Sequence, residues 1–90
     1  MDEPPLYSAP VKHSVTIAGH QTSISLEPVF WTELRQVAAE EGLALNALIA
    51  RIDDERLEAM RGGGTRNPAN LASAVRCWLW ARRVGRVSEA

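Results

Sequence analysis

At Glu27-Pro28 the apolar residues change period, and this switch constrains the fold more than any other feature of the chain. Before it, Val15 with Ile17 and Ile24 with Leu26 alternate with polar neighbours. Period two among β-branched residues marks strands with one apolar and one polar face. The run Ala18-Gly19-His20 between the two pairs predicts a turn, so residues 14–17 and 21–26 read as two short strands, a hairpin about Gly19. Ser14 and Thr16 line the polar face of the first strand, and Gln21, Ser23 and Ser25 that of the second. A lone hairpin is marginal in water, so this one must pair or pack elsewhere.

After the switch the period is helical. Pro28 suits a first helical turn and Glu27 suits the positive end of the helix. Phe30, Leu34, Val37 and Ala38 fall at i, i+4, i+7 and i+8 with Trp31 at the edge of the stripe, which predicts an amphipathic helix stopping at Gly42. Leu45, Leu48, Ile49 and Ile52 repeat the spacing in a second helix that runs into Asp53-Asp54-Glu55-Arg56. Gly62-Gly63-Gly64 ends it, since each glycine costs a helix about 1 kcal/mol relative to alanine. Asn67-Pro68 then offers a cap and a first-turn proline, and Leu71, Val75, Trp78 and Leu79 share one face, so a third helix is expected over residues 68–83 with Gly85 closing it. The expected organisation is an N-terminal arm of residues 1–11, one domain of residues 12–84 and a tail of residues 85–90. The class is mainly α with a short β-ribbon.

A chain of 90 residues buries only about two-thirds of its unfolded surface. Its composition, 46% hydrophobic with three tryptophans, is more than so small a surface hides comfortably, which argues for a second subunit. Cys77 is the single cysteine and cannot form an internal disulfide. No apolar run approaches the roughly 18 residues of a membrane span. The acidic, proline-rich start lacks the pattern of a secretory signal, so a cytoplasmic location is expected and no membrane partner.

The net charge of −1 is unpromising for binding phosphate, but its distribution is uneven. Residues 27–60 carry eight acids against Arg35, Arg51 and Arg56, a balance of −5, whereas residues 61–90 carry six arginines against Glu89, a balance of +5.

The order Thr22-Ser-Ile-Ser-Leu-Glu-Pro28, Phe30-Trp31, Leu34, Ala38, Gly42-Leu43, Leu48-Ile49 and Asn70-Leu-Ala-Ser-Ala-Val-Arg76 resembles the ribbon-helix-helix family, and in particular short bacterial members with a further C-terminal segment. The resemblance covers residues 12–82. It implies an intertwined homodimer in which one strand from each subunit forms an antiparallel ribbon over four interlocked helices, here with a third helix added. Ile24, Leu26, Phe30, Leu34, Leu48, Ile49 and Ile52 would form the dimer core. It also implies a ribbon in the major groove of double-stranded DNA, with Gln21, Ser23 and Ser25 reading base edges. Leu45, Asn46 and Ala47 at the start of the second helix, together with Lys12, would contact phosphate. Two features run against it. The first strand would widen the ribbon, and the acids of the first two helices repel phosphate.

Other residues carry weaker signals. His13 and His20 have no cysteine or acid at a spacing that makes a metal site, and they read as surface histidines; no metal or cofactor is expected. Cys77 between Arg76 and Trp78 reads as an ordinary small helical residue. Trp31 and Trp78 belong to the apolar stripes, whereas Trp80 falls off the third helix's apolar face and packs on a subunit or marks a protein partner's surface. Arg76, Arg82, Arg83 and Arg86 form a basic patch for phosphate, or else offset the negative end of the third helix and pair with acids of the second. No nucleophile set, phosphate loop or carboxylate pair suggests an enzyme. The reading is therefore a dimeric DNA-binding regulator, with an antitoxin-like or adaptor module that binds protein as the alternative.

Overall fold

The computed structural model describes residues 6–62 and 70–89, with side chains as far as residue 85. Strands β1 (Val11–Ile17) and β2 (His20–Leu26) form a two-stranded antiparallel sheet, followed by helices α1 (Pro28–Glu41), α2 (Leu45–Arg61) and α3 (Leu71–Glu89). Among the described residues no helix is long and apolar enough to cross a membrane.

The hairpin turns in two residues. Ala18 (φ 51°) and Gly19 (φ 83°) are both left-handed, the geometry whose twist matches that of the strands it joins. This loop sets the register, from Val11 opposite Leu26 to Ile17 opposite His20. β1 is longer than its alternation suggested, starting at Val11 inside the expected arm. Its first residues are held from α1, where Trp31 Nε1 donates to the Val11 carbonyl at 2.9 Å. The His13 ring meets the Trp31 ring edge-on, with centroids 4.7 Å apart.

α1 ends as expected at Gly42 (φ 68°), where the Gly42 and Leu43 amides turn back to the Ala39 and Ala38 carbonyls. This paired closure needs the left-handed residue that glycine supplies. Two helix boundaries differ from the sequence reading. The cap of α3 is Asn70, whose Oδ1 accepts from the Ser73 amide at 2.8 Å; the expected cap, Asn67-Pro68, lies outside the described residues. α3 also continues through Gly85 to Glu89, so the expected tail of residues 85–90 is helical through residue 89. One glycine costs a helix about 1 kcal/mol, too little to stop it.

The core is closed within one chain. α2 packs against both β1 and α3, while α1 packs on α2 and α3, and α3 reaches β2. Val15, Ile24 and Leu26 from the hairpin meet Trp31, Leu34 and Val37 of α1, Leu48, Ile49 and Ile52 of α2, and Val75 and Leu79 of α3. Of the residues expected in a core between subunits, Ile24, Leu26, Leu34, Leu48, Ile49 and Ile52 are thus buried without a second chain. Phe30 is half-buried. β1 and α3, which flank the strand and two helices of the family pattern, supply the cover. Each fully buried Leu or Ile contributes about 1.5–3 kcal/mol relative to its exposed state.

Candidate nucleic-acid interface

Because Val15, Ile24 and Leu26 are anchored in the core, the alternate residues of both strands must face outward. The register sets them in three facing pairs: Lys12 with Ser25, Ser14 with Ser23, and Thr16 with Gln21. Lys12, Ser14, Thr16, Gln21 and Ser23 are exposed and Ser25 is half-buried. A one-residue slip would turn this polar face inward and the apolar face to solvent, so the buried side specifies the outer one.

The hairpin therefore brings Lys12, Gln21, Ser23 and Ser25 together as one surface and adds Ser14 and Thr16, which were expected on the polar face of the first strand but not among the base-reading residues. Their alternation with Val15 and Ile17 was the available signal. What it lacked was the loop length, which decides which residue of β2 each one faces.

At the start of α2, Leu45 is half-buried while Asn46 and Ala47 are exposed. Ala44 at the cap provides no side-chain hydrogen bond, and the first turn holds no acid. The amides of Leu45, Asn46 and Ala47 precede the first intrahelical donor, the Leu48 amide that donates to the Ala44 carbonyl, as in any helix start, and the helix dipole leaves partial positive charge there.

Three arginines of the proposed basic patch stand beside acids of α1 and its cap, not beside those of α2 as expected. Arg76 reaches Glu27 at 2.9 Å and Arg83 reaches Glu33 at 3.6 Å, while Arg82 lies 3.3 Å from Glu40 and 3.2 Å from Glu41. The Arg76 guanidinium also covers the Phe30 ring at 5.7 Å, and that of Arg82 covers the Trp78 ring at 5.8 Å. These side chains join α3 to α1, and much of their charge is met inside the fold. The Arg86 side chain lies outside the described ones. The Glu27 carboxyl is held below its ordinary range, first by a backbone hydrogen bond at Glu27 and then by Arg76.

His13 and His20 lie toward opposite ends of the hairpin's inner face, four residues apart along the sheet and so roughly 13 Å apart. His13 faces Trp31 instead. Cys77 is exposed. Trp31 is buried and Trp78 half-buried, but Trp80 is 67% exposed. It borders an open groove of about 580 Å³ between α1 and α3 that also includes Val29, Phe30, Leu79 and Arg83.

Comparison with known proteins matches residues 10–82 to the model of the ribbon-helix-helix domain. No curated protein and no solved structure matches the chain.

Proposed function

The chain belongs to the ribbon-helix-helix domain family, and from that premise we propose that it is a homodimeric DNA-binding regulator that lays a β-ribbon in the major groove. The family is in general one of DNA-binding regulators and antitoxins. The observation that carries the proposal is the outer face of the hairpin. Its six side chains are polar, point away from the core and make no hydrogen bond or ion pair among the described residues. Gln21 has the bidentate geometry for adenine, and Ser23 and Ser25 both donate and accept. The amides of Leu45, Asn46 and Ala47 are the matching phosphate donors. β2 has β1 on one edge only, and an open strand edge favours pairing with a second copy. With Arg76 and Arg82 paired with acids of the same chain, the salt dependence of binding should be shallow for a DNA-binding protein, reflecting few phosphate contacts.

Fluorescence anisotropy with duplex DNA over a salt series tests this, on protein whose mass in solution has been measured by light scattering. Micromolar affinity that falls with salt, and a dimeric mass, are expected. A monomeric mass removes the homodimer, and no binding at low salt removes the DNA-binding role.

A second reading rests on Trp80 and its groove, which fit an adaptor or antitoxin-like role with a protein partner. An indole 67% exposed beside an apolar groove is the kind of anchor that dominates protein interfaces. A Trp80→Ala variant that keeps its affinity for duplex but loses a co-purifying protein would assign the groove to that role.

A further inference from the structure

One chain buries its own core, so a second copy must be held by surface that the fold leaves open. We propose that the second copy covers the groove between α1 and α3, with Trp80 as the anchor, and that this contact supplies the apolar part of the homodimer interface beside the shared ribbon. The inference rests on the homodimer of the reading above and assigns its second contact surface.

Three observations support it. The first is area. A stable interface buries about 800 Å² per partner. β2, seven residues and roughly 24 Å long, offers an edge of backbone groups too narrow to reach that. The side chains that would add apolar area in an interlocked dimer, among them Ile24, Leu34, Leu48 and Ile49, are already buried in their own chain. Large apolar side chains left in solvent gather instead at the groove. Leu6 is 63% exposed and Trp80 67%, both on its wall, and exposed Val84 stands one helical turn beyond Trp80. Half-buried Val29 and Phe30 line it from α1.

The second is position. α3 reaches β2 while α2 packs on β1, so α3 lies on the side of the sheet whose edge is open. Val29 and Phe30 follow the end of β2 by three and four residues. Arg76, also on the groove wall, is bonded to Glu27 between β2 and α1. The groove thus continues the open edge, and one two-fold axis can relate both contacts.

The third is charge. A two-fold interface brings the same patch of both subunits together, so the patch must complement itself. The groove carries Arg83 and Glu33, opposite in sign, and their 3.6 Å contact is the loosest of the ion pairs joining α3 to α1 and its cap. Across the axis, Arg83 of each subunit can meet Glu33 of the partner subunit.

Sedimentation equilibrium of the full chain over a dilution series measures the dimer dissociation constant of the wild type, Trp80→Ala, Arg83→Glu, Glu33→Arg and an equimolar mixture of the last two. Circular dichroism verifies the fold of each. Trp80→Ala should raise the constant roughly thirtyfold. Arg83→Glu sets acid against acid across the axis and Glu33→Arg sets base against base, so each alone should raise it about tenfold. The mixture should regain wild-type affinity, because each subunit then meets the opposite charge on the other. A contact that serves only within one chain gains nothing from mixing, so the mixture decides even where Trp80→Ala disturbs the fold. A wild-type dimer whose constant is unchanged in all three variants overturns the groove contact and leaves the ribbon-paired dimer standing. If Trp80→Ala in that case loses a co-purifying protein, the groove belongs to that protein. A wild type that stays monomeric at every concentration overturns the homodimer and this inference with it.

Discussion

Arg76 Nε and Nη2 both reach Glu27 Oε1, at 3.0 and 2.9 Å, fastening the first half of α3 to the residue that separates β2 from α1. The contact spans 49 positions of sequence, and the same guanidinium rests on Phe30. It ties the Asn70–Arg76 segment to the strand and two helices: α3 closes the core at the strand–helix junction.

Glu27 makes this closure sensitive to acid. Its carboxyl titrates below the ordinary 4.5, so the ionised form is the one that the fold favours. The stabilisation is present above 4.5 and is lost as pH falls through the lowered value. Urea unfolding across that range should show the wild type losing stability more steeply than Glu27→Gln. Identical slopes would mean that the contact contributes nothing to the acid limb.

Ala18 is the one non-glycine residue with positive φ among the described residues. An L-residue with a Cβ pays about 1–2 kcal/mol there. Ala18→Asn or Ala18→Gly should raise stability by about 0.5–1 kcal/mol in chemical denaturation. Gly19→Ala should lower it by a similar amount, because φ is 83° at that position. A neutral result for both Ala18 variants would show that the turn relaxes without cost.

Asn70 caps α3 through the Ser73 amide. Asn70→Ala should cost about 1 kcal/mol, and Asn70→Asp or Asn70→Ser should restore most of it. Thermal unfolding of the three variants measures this. If alanine costs nothing, the helix start is held by packing alone.

Trp31 joins α1 to β1 through its indole N–H. Trp31→Phe keeps an aromatic ring but leaves the Val11 carbonyl without that donor. A loss of about 1 kcal/mol is expected, with faster amide exchange concentrated in β1. Uniform acceleration over the whole chain would instead indicate a core packing defect.

Much of this structure was legible in the residues. Alternation at Val15, Ile17, Ile24 and Leu26 and the 3.6 period from Phe30 onward gave element types, because each reflects one buried face repeated along a regular backbone. Pro28 and Gly42 marked the bounds of α1 through fixed backbone chemistry. The start of α3 was harder, since Asn67 and Asn70 are both good caps and only packing decides where a helix becomes worth forming. Gly85 misled for a related reason: its local penalty is small beside the gain of extending a helix already docked.

The apolar set could be read, but not its partner. Leu48, Ile49 and Ile52 demand cover whether it comes from a second subunit or from β1 and α3. The same holds for Arg76, Arg82 and Arg83, where a cluster of positive charge in sequence carries no record of the acids that will stand 2.9–3.6 Å away. The polar face of β2 was visible at Gln21, Ser23 and Ser25, whereas its continuation onto β1 depended on a two-residue loop.

By itself the sequence determined that this chain has a hairpin-like pair of strands, three helices and a family pattern, because periodicity and backbone preferences are properties of neighbours along the chain. Only the tertiary structure decided that β1 pairs with β2 in this register, that α3 closes the core, and that Arg76, Arg82 and Arg83 stand beside acids of α1 and its cap. Those outcomes depend on residues far apart in sequence becoming neighbours in space, and local chemistry sets no preference among the possible partners.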